Sequence, residues 1–340
     1  MKRAAAATVV ITAALCTWIY TINHEILFWP EHYQQALGGF GLAATLLGLC
    51  VFAFLRGWER RLSQLAVAVL ALFILGEFHR HWLRHEYRAH TAAPARSWQP
   101  ITTLDLQLRH YDLPLAAVAR LRILHITDLH ITEALPFAYY ERLSADIRAR
   151  NPDAIVFTGD LLSRRERLPL LEKWLTIVPA APLGTYAVLG NHEYWAHAAD
   201  EVRNALEHAR IAVIAGRCLQ LPGRNLRICG TEAPWGPKLD VNAVTNSSLP
   251  FVALSHTPDN IYDLAALGAV AVLAGHTHGG QLRLPWFGPI VVPSRFGRRF
   301  DAGQFQVGRT HLFVSQGVGA DSPPLRMFCA PELLELEITQ

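Results

Sequence analysis

A strand that ends in two metal-binding side chains is the feature that most constrains this chain. Residues 121–132 read LRILHITDLHIT, an apolar run rich in β-branched residues that ends in Asp128-Leu129-His130. This pattern predicts a strand that carries a carboxylate and an imidazole to its C-terminal end, on one face of the extended chain. An oxygen and a nitrogen ligand together favour a divalent transition metal over magnesium or calcium. A His beside an Asp also occurs in ordinary capped turns, so this motif alone is weak.

Four further polar clusters follow short apolar runs. They are Gly159-Asp160 after AIVFT, GNHE at 190–193 after TYAVL, His256 after FVALS, and GHTH at 275–278 after AVAVLA. With the first motif they supply seven nitrogen and oxygen ligands, namely Asp128, His130, Asp160, Asn191, His256, His276 and His278. Seven ligands suit two ions that share a carboxylate, and Asp160, beside a glycine that permits a tight turn, is the natural bridge. Four imidazoles among the seven favour Mn, Fe or Zn.

The five motifs, in this order and spacing, resemble the motif set of the calcineurin-like metallophosphoesterases over roughly residues 120–340. The resemblance implies an α/β (α+β) fold, a four-layer αββα sandwich. It implies a first ion held by Asp128, His130, Asp160 and His278, and a second held by Asp160, Asn191, His256 and His276. It also implies attack on phosphorus by a hydroxide that bridges the ions, with His192 protonating the leaving group or stabilising its charge and Glu193 as a partner behind it.

Two longer runs resemble a membrane-associated bacterial subgroup of that family. They are GHTHGGQLRLPWFGPIVVPSRFGRRF and the later GVG…LR…PELLELEI. Some relatives in this broad group hydrolyse UDP-2,3-diacylglucosamine, and others act on cell-envelope phosphodiesters. The resemblance therefore implies a phosphorylated small molecule or a lipid-linked compound as substrate.

One position departs from the family pattern. Many relatives continue the Gly-Asp motif with two residues and then Asp-Arg, whereas this chain has Ser163 before Arg164. All seven ligands are retained, so an active enzyme is still expected. Arg164 is a candidate donor to a phosphate oxygen, and the alternative is an ordinary surface cation.

Residues 1–78 contain three long apolar stretches. They predict a membrane anchor of two or three transmembrane helices at about 4–22, 36–55 and 62–78. A retained first helix is favoured over a cleaved signal because no A-x-A site precedes its polar flank. The second stretch carries small residues at four-residue spacing, which is typical of close helix packing in lipid. Polar residues interrupt the third stretch, which leaves the number of spans at two or three.

The basic residues bear on orientation in a bacterial inner membrane. The loop at 23–35 has no Lys or Arg, whereas the other side has Lys2, Arg3, Arg56, Arg60 and Arg61. This asymmetry predicts a cytoplasmic N-terminus and, with three spans, a catalytic domain outside the cytoplasm. With only two spans the domain would lie inside, together with the arginines that follow residue 78. A multi-pass membrane protein with the bilayer as partner is expected in either case.

The remaining chain divides into a juxtamembrane helix and linker at 79–100 and a catalytic domain at 101–340. Arg80, Arg84 and Arg88 predict a basic stripe, which either contacts anionic lipid or is a solvated helix face. In the domain, alternating patterns predict a first strand pair in ITTLDLQL from residue 101. They also predict helices at 136–150, 168–178 and 197–209, and strands at 154–158 and 185–189.

The cysteine spacing and the net charge argue against a disulfide-stabilised scaffold and against a nucleic-acid-binding protein. The five cysteines show no C-x-x-C spacing, and two lie in the apolar stretches, which predicts thiols rather than a disulfide framework. Cys218 and Cys229 could meet across a hairpin if the domain faces an oxidising compartment. A net charge of +3, without a basic run interleaved with aromatics, argues against nucleic acid as a partner.

The leading hypothesis is a membrane-anchored di-metal phosphoesterase that cleaves a phosphodiester or pyrophosphate bond, in a lipid-linked or cell-envelope substrate. The alternative is a non-catalytic ligand-binding or regulatory protein on the same fold, and retention of all seven ligands argues against it. A transporter is disfavoured because the first two apolar stretches contain no charged residue.

Overall fold

The computed structural model of the chain describes residues 103–116, 118–132, 135–284, 288–289, 291–321 and 325–340. The predicted spans at 4–22, 36–55 and 62–78, and the linker at 79–100, lie outside these residues. Within the described ranges, no helix has both the length and the apolar character that crossing a bilayer requires. Residues 291–300 belong to a separate compact unit, and contain one turn of 3-10 helix, Gly297–Phe300.

Short strands and helices alternate along the described chain. The strands are β1 (Gln107–Pro114), β2 (Leu121–Ile126), β3 (Ala154–Thr158), β4 (Thr185–Val188), β5 (Ala212–Val213), β6 (Cys218–Gln220), β7 (Arg227–Thr231), β8 (Phe251–Ser255), β9 (Ala271–Ala274), β10 (Arg283–Leu284), β11 (Gly288–Pro289), β12 (Gly303–Val307), β13 (Thr310–Val314) and β14 (Glu332–Thr339). The α-helices are α1 (Phe137–Arg150), α2 (Leu168–Leu175), α3 (Asn191–Trp195), α4 (Ala199–His208), α5 (Val241–Thr245) and α6 (Ile261–Ala266). Further 3-10 turns are Arg165–Arg167, Pro258–Asn260 and His278–Gly280.

Most of the strands form two six-stranded mixed sheets. The first has the order β1-β14-β2-β3-β4-β5, in which β2 to β5 run parallel and β14 is antiparallel to β2. The second has the order β12-β13-β9-β8-β7-β6, in which β13, β9, β8 and β7 run parallel, with antiparallel β12 and β6 at the edges. Parallel strands place their C-terminal ends at one edge of each sheet, where polar loops can meet.

The two sheets pack face to face through an apolar core. Ile123 and Val156 of the first sheet meet Val252 and Leu273 of the second in this core. Alternate residues of the first sheet, such as Phe157, point outward and pack against α1, α2 and α4. On the second sheet, α6 contacts β12. The mixed α/β fold that the sequence implies is thus confirmed for the described residues.

Several element boundaries agree with the sequence patterns. Helix α1 ends where Asn151 adopts a left-handed φ of 46°, because Pro152 disfavours a helical residue before it. The first strand differs from expectation, since it begins at Gln107 and pairs in parallel with the C-terminal strand β14. The predicted strand pair within ITTLDLQL was therefore wrong. The apolar alternation continues through Tyr111 and Leu113, which the core between the sheets buries.

Cys218 and Cys229 form a disulfide between directly opposed positions of β6 and β7. The expectation of free thiols was therefore wrong for this pair, and the hairpin pairing considered as an exception is present. The bond can form because the register of the antiparallel β6–β7 pair places the Cα atoms of Cys218 and Cys229 4.0 Å apart. Cys329 is buried, and its Sγ donates a hydrogen bond to the His278 carbonyl oxygen at 3.1 Å.

Replacing Cys218 and Cys229 with serine should lower the free energy of unfolding by about 3 kcal/mol, because the cross-link no longer restricts the unfolded chain. Urea denaturation of the two forms measures the difference. Thiol alkylation under denaturing conditions, before and after reduction, checks the bond itself. If both cysteines react before reduction and the variant is as stable as the parent, the bond is not part of the folded protein.

Candidate metal centre

The predicted ligands all lie just beyond the C-terminal ends of parallel strands. Asp128 and His130 follow β2, Asp160 follows β3, Asn191 follows β4, His256 follows β8, and His276 and His278 follow β9. The first three strands belong to one sheet and the last two to the other. Because the sheets pack face to face, their strand ends meet at one edge of the sandwich, and the seven side chains converge there.

Four of these residues form a first group, whose potential ligand atoms all lie within 4.8 Å of one another. In this group the Nε2 atoms of His130 and His278 are 3.0 Å apart. His278 Nε2 lies 3.3 Å from Asp128 Oδ1, and His130 Nε2 lies 3.6 Å from Asp160 Oδ2. All four residues are buried. These are the four residues that the family resemblance implies as ligands of a first ion.

A second group shares Asp160 with the first and adds His256, His276 and Asn191. His256 Nε2 lies 3.2 Å from Asp160 Oδ2, 3.0 Å from His276 Nδ1 and 2.9 Å from Asn191 Oδ1. The Asp160 carboxylate thus lies between the two groups. The structure brings all seven predicted residues together as a candidate two-metal site, and their role as ligands stays a prediction.

The spacing of Asp128 and His130 had suggested an extended backbone at the ligands. The structure shows a different conformation. Five of the seven have a left-handed φ, with 54° at Asp128, 42° at His130, 53° at Asp160, 69° at His276 and 49° at His278. Residues with side chains rarely adopt this conformation, and they keep it where the surrounding structure enforces it, often at functional sites. Tight turns rather than strand alternation therefore aim these side chains inward.

Two glycines permit the close approach of the ligand loops. A Cβ atom at Gly190 would lie 2.2 Å from Asp160 Oδ1, and a Cβ at Gly275 would lie 2.2 Å from Asp128 Oδ2. Both distances are far below van der Waals contact. The glycine before each of these motifs is needed because a neighbouring carboxylate occupies the space of a side chain.

Hydrogen bonds on the outer ring nitrogens orient two of the imidazoles. His256 Nδ1 lies 2.6 Å from the Thr158 carbonyl oxygen. A carbonyl can only accept, so Nδ1 carries a proton and Nε2 is the ring nitrogen that faces Asp160. His130 Nδ1 lies 2.6 Å from Ser163 Oγ. Ser163, which departs from the family pattern, thus contacts a predicted ligand. Partners of this kind orient metal-binding histidines in proteins.

The electrostatics of the cluster favour cation binding. Burial acts to raise the pKa of Asp160, but His256 and His192 outweigh it and hold this pKa well below its usual range. Burial lowers the pKa of His276 and of His278 well below the usual value, so both rings are neutral and offer lone pairs. Burial also acts to lower the pKa of His256, but Asp160 outweighs it and raises this pKa to about 9. The buried carboxylates thus attract positive charge, which a proton or a divalent ion can supply.

The donor set fits divalent ions in distance as well as in chemistry. Two atoms bound to one ion at about 2.1 Å lie about 3 Å apart when their bonds to it are at right angles. The donor pairs His130–His278 and His256–Asn191 lie 3.0 and 2.9 Å apart. Ionised carboxylates, neutral imidazoles and an amide oxygen are also the ligands of transition-metal hydrolases.

A comparison with protein families identifies the fold. Residues 121–280 match the family described as calcineurin-like phosphoesterase. The chain contains a calcineurin-like metallophosphoesterase domain. This domain belongs to a family of metal-dependent phosphoric ester hydrolases, as the motif set had suggested.

Three curated relatives of this domain are each less than 30% identical to the chain. The uncharacterized metallophosphoesterase YkuE of Bacillus subtilis is 27% identical over 225 residues, which cover 62% of this chain and 77% of the relative. The phosphodiesterase YaeI of Escherichia coli is 28% identical over 225 residues, covering 65% and 83%. The UDP-2,3-diacylglucosamine pyrophosphatase LpxG of Chlamydia trachomatis is 28% identical over 254 residues, covering 57% and 77%.

Glu193 holds two ligand loops of the metallophosphoesterase domain together. Its buried carboxylate accepts hydrogen bonds from the backbone N–H groups of Asp160, Leu161, Leu162 and Gly190, at 2.6 to 3.2 Å. The sequence placed Glu193 only as a partner behind His192. The structure shows that it fixes the turn carrying Asp160 against the start of α3.

His192 lies at the edge of the site. It is the second residue of α3, and Gly190 is the N-cap of this helix. The His192 side chain is 17% exposed, and its Nε2 lies 4.0 Å from Asp160 Oδ2 and 3.7 Å from Asp321 Oδ2. This placement suits the predicted contact with substrate. Asp321 was missed because it lies in the gap between the GVG and LR segments, where no motif residue was assigned.

Arg164 and His125 lie apart from the ligand groups. Arg164 is exposed in the loop after Ser163, and its contact with phosphate stays a prediction. His125 is buried within β2, with Nε2 2.7 Å from Thr158 Oγ1. Burial lowers the pKa of His125 to about 3.

Glu193→Gln should lower the free energy of unfolding by about 2 kcal/mol, because one acceptor oxygen is lost and buried N–H donors lose a partner. It should also weaken Mn²⁺ binding, since Asp160 loses its fixed position. Urea denaturation and calorimetric Mn²⁺ titration measure the two effects. The matched control is Glu141→Gln, which alters an exposed glutamate of α1. If both variants behave alike, Glu193 does not hold the loops together.

Proposed function

We propose that this protein hydrolyses a phosphodiester or pyrophosphate bond with two divalent ions held by the seven clustered residues. The observation that carries the proposal is the position of Asp160, whose Oδ2 lies 3.6 Å from His130 Nε2 and 3.2 Å from His256 Nε2. A single carboxylate between two groups of nitrogen and oxygen donors is the arrangement that a pair of bridged ions requires.

The residues of the chain supply positions and a proton. When bound, the two ions activate a water molecule as nucleophile and offset the charge that develops on the phosphoryl oxygens. His192, next to Asn191 and partly exposed, faces the space above Asp160 and donates a proton to the leaving oxygen or stabilises its charge. The abundance of imidazoles favours Mn, Fe or Zn at both positions.

The relatives and the N-terminal sequence support the choice of substrate class. Two distant relatives bear the names phosphodiesterase and UDP-2,3-diacylglucosamine pyrophosphatase. The apolar stretches at 4–22, 36–55 and 62–78 would anchor the domain at a bilayer. An enzyme held there meets lipid-linked and cell-envelope compounds, so these are the proposed substrates.

We place the catalytic domain outside the cytoplasm, in line with three spans. The disulfide between Cys218 and Cys229 supports this side, because disulfides persist in oxidising compartments and are rare in the cytosol. Protease added to intact spheroplasts should therefore cleave the domain. Protection of the domain until the membrane is disrupted would place it in the cytoplasm and favour two spans.

The direct test is hydrolysis of bis-p-nitrophenyl phosphate and p-nitrophenyl phosphate by the full-length chain in detergent. The protein is stripped of metal and then reloaded with Mn²⁺, Zn²⁺ or Mg²⁺. Turnover should depend on the added ion and fall by at least about a thousandfold in Asp160→Asn, since this change removes the charge between the two groups. Diester should be preferred over monoester.

Asp200→Asn, an exposed aspartate of α4, is the matched control and should keep full activity. Turnover that survives Asp160→Asn would contradict the di-metal mechanism. If two ions bind per chain and yet neither ester nor a lipid-linked pyrophosphate is cleaved, the ligand-binding alternative becomes the better account.

A further inference from the structure

A buried arginine lies behind the first group of predicted ligands. Arg326 is the arginine of the run GVG…LR…PELLELEI, and neither the predicted ligand set nor the proposed function uses it. Its side chain is completely buried. Arginine is seldom buried to this extent unless its guanidinium has partners, because removal of the charge from water is costly. The partners of this guanidinium belong to two segments that lie far apart in the chain.

One of these segments is the turn that carries His278. Arg326 Nη1 donates to the His278 carbonyl oxygen at 3.4 Å, and Nη2 lies 3.3 Å from His278 Nδ1. The other ring nitrogen, Nε2, faces the first group, since it lies 3.0 Å from His130 Nε2 and 3.3 Å from Asp128 Oδ1. The guanidinium therefore contacts both the backbone and the ring of His278 on the side away from the other ligands.

The other segment is the loop that follows β13. Arg326 Nε donates to the Gly319 carbonyl oxygen and Nη2 to the Gln316 carbonyl oxygen, each at 2.6 Å. This loop in turn supports Asp128, because the backbone N–H of Gly319 donates to the Asp128 carbonyl oxygen at 2.8 Å. Arg326 thus connects the loop behind Asp128 to the turn that carries His278.

We propose that Arg326 is a positioning residue for the first ion, because it holds Asp128 and His278 in fixed places relative to each other. This inference rests on the proposed function and adds to it a residue outside the seven ligands. The second group has contacts of its own, since His256 Nδ1 donates to the Thr158 carbonyl oxygen at 2.6 Å. Loss of the guanidinium should therefore weaken the binding of one ion more than that of the other.

A second buried arginine provides a matched control. Arg227 is the first residue of β7, whereas the predicted ligands follow the C-terminal ends of their strands. Its guanidinium donates at 2.8 to 3.2 Å to the backbone carbonyl oxygens of Ala243, Val244, Ser247 and Leu249. Loss of either guanidinium leaves carbonyl oxygens without their donors and should lower the free energy of unfolding. The two arginines should differ in their effect on metal binding.

The test compares Arg326→Gln with Arg227→Gln in the full-length protein. In a calorimetric titration with Mn²⁺, Arg326→Gln should raise the Kd of one of the two ions by about tenfold to a hundredfold, as is typical when a residue that supports a metal ligand is lost. Arg227→Gln should leave both Kd values unchanged. At a Mn²⁺ concentration that fills both positions of the wild type, electron paramagnetic resonance of Arg326→Gln should show an isolated ion instead of a coupled pair.

Arg326→Lys keeps the positive charge but has fewer donors in a different geometry, so it should lose less Mn²⁺ affinity than Arg326→Gln. Urea denaturation shows which variants are folded under the conditions of the titration. If Arg326→Gln does not fold, the comparison of Arg326→Lys with Arg227→Lys decides in the same way.

Two results would overturn the inference while the proposed function stands. They are Arg326 variants that bind both ions as tightly as the wild type, and equal weakening of Mn²⁺ binding in the Arg326 and Arg227 variants, which would indicate a general structural role. A wild type that binds no Mn²⁺ would contradict the proposed function and this inference together. If the wild type binds two ions but cleaves no ester, only the proposed hydrolysis fails, and the comparison of the variants still decides the role of Arg326.

Discussion

Crowding at the C-terminal ends of the two sheets is the constraint on which this domain depends. Strands of both sheets end at one edge of the sandwich. In the loops that follow, the backbone of one loop packs against the side chains of another. Gly190 and Gly275 lie where a neighbouring carboxylate excludes any Cβ. Five predicted ligands adopt left-handed backbone conformations. The Glu193 carboxylate holds the crowded loops together through four backbone N–H groups. Such strain persists only where the surrounding structure enforces it.

Burial of so many polar groups has an electrostatic consequence. Moving ionised carboxylates and imidazoles out of water costs free energy unless opposite charges and hydrogen bonds compensate for the lost hydration. At this site Asp160 draws positive charge from two histidines, and Asp128 accepts the backbone N–H of His276. Divalent ions would complete this compensation. The same features that make the site costly to fold therefore make it suited to metal binding.

The sequence predicted which residues would meet but not how their chains turn. Polar clusters after apolar runs located the seven residues, because the ends of parallel strands meet at one edge of a sheet. The sequence could not predict the left-handed turns. Nor could it predict the contact between Ser163 and His130 or the approach of Asp321 to His192. These depend on contacts between segments far apart in the chain, which local periodicity does not encode. The parallel pairing of β1 with β14 was misjudged for the same reason. The bond between Cys218 and Cys229 joins residues only 11 apart, and the cysteine spacing alone did not favour it.

The central claim is that two ions share Asp160, and the metal content of the purified full-length chain tests it most directly. The account predicts two Mn²⁺ ions per chain in the wild type and about one in His278→Ala or in His276→Ala, because each change removes a ligand of one group only. Asp160→Ala should bind neither ion tightly. A single ion in the saturated wild type, or an Asp160→Ala variant that binds as much metal as the wild type, would contradict the account.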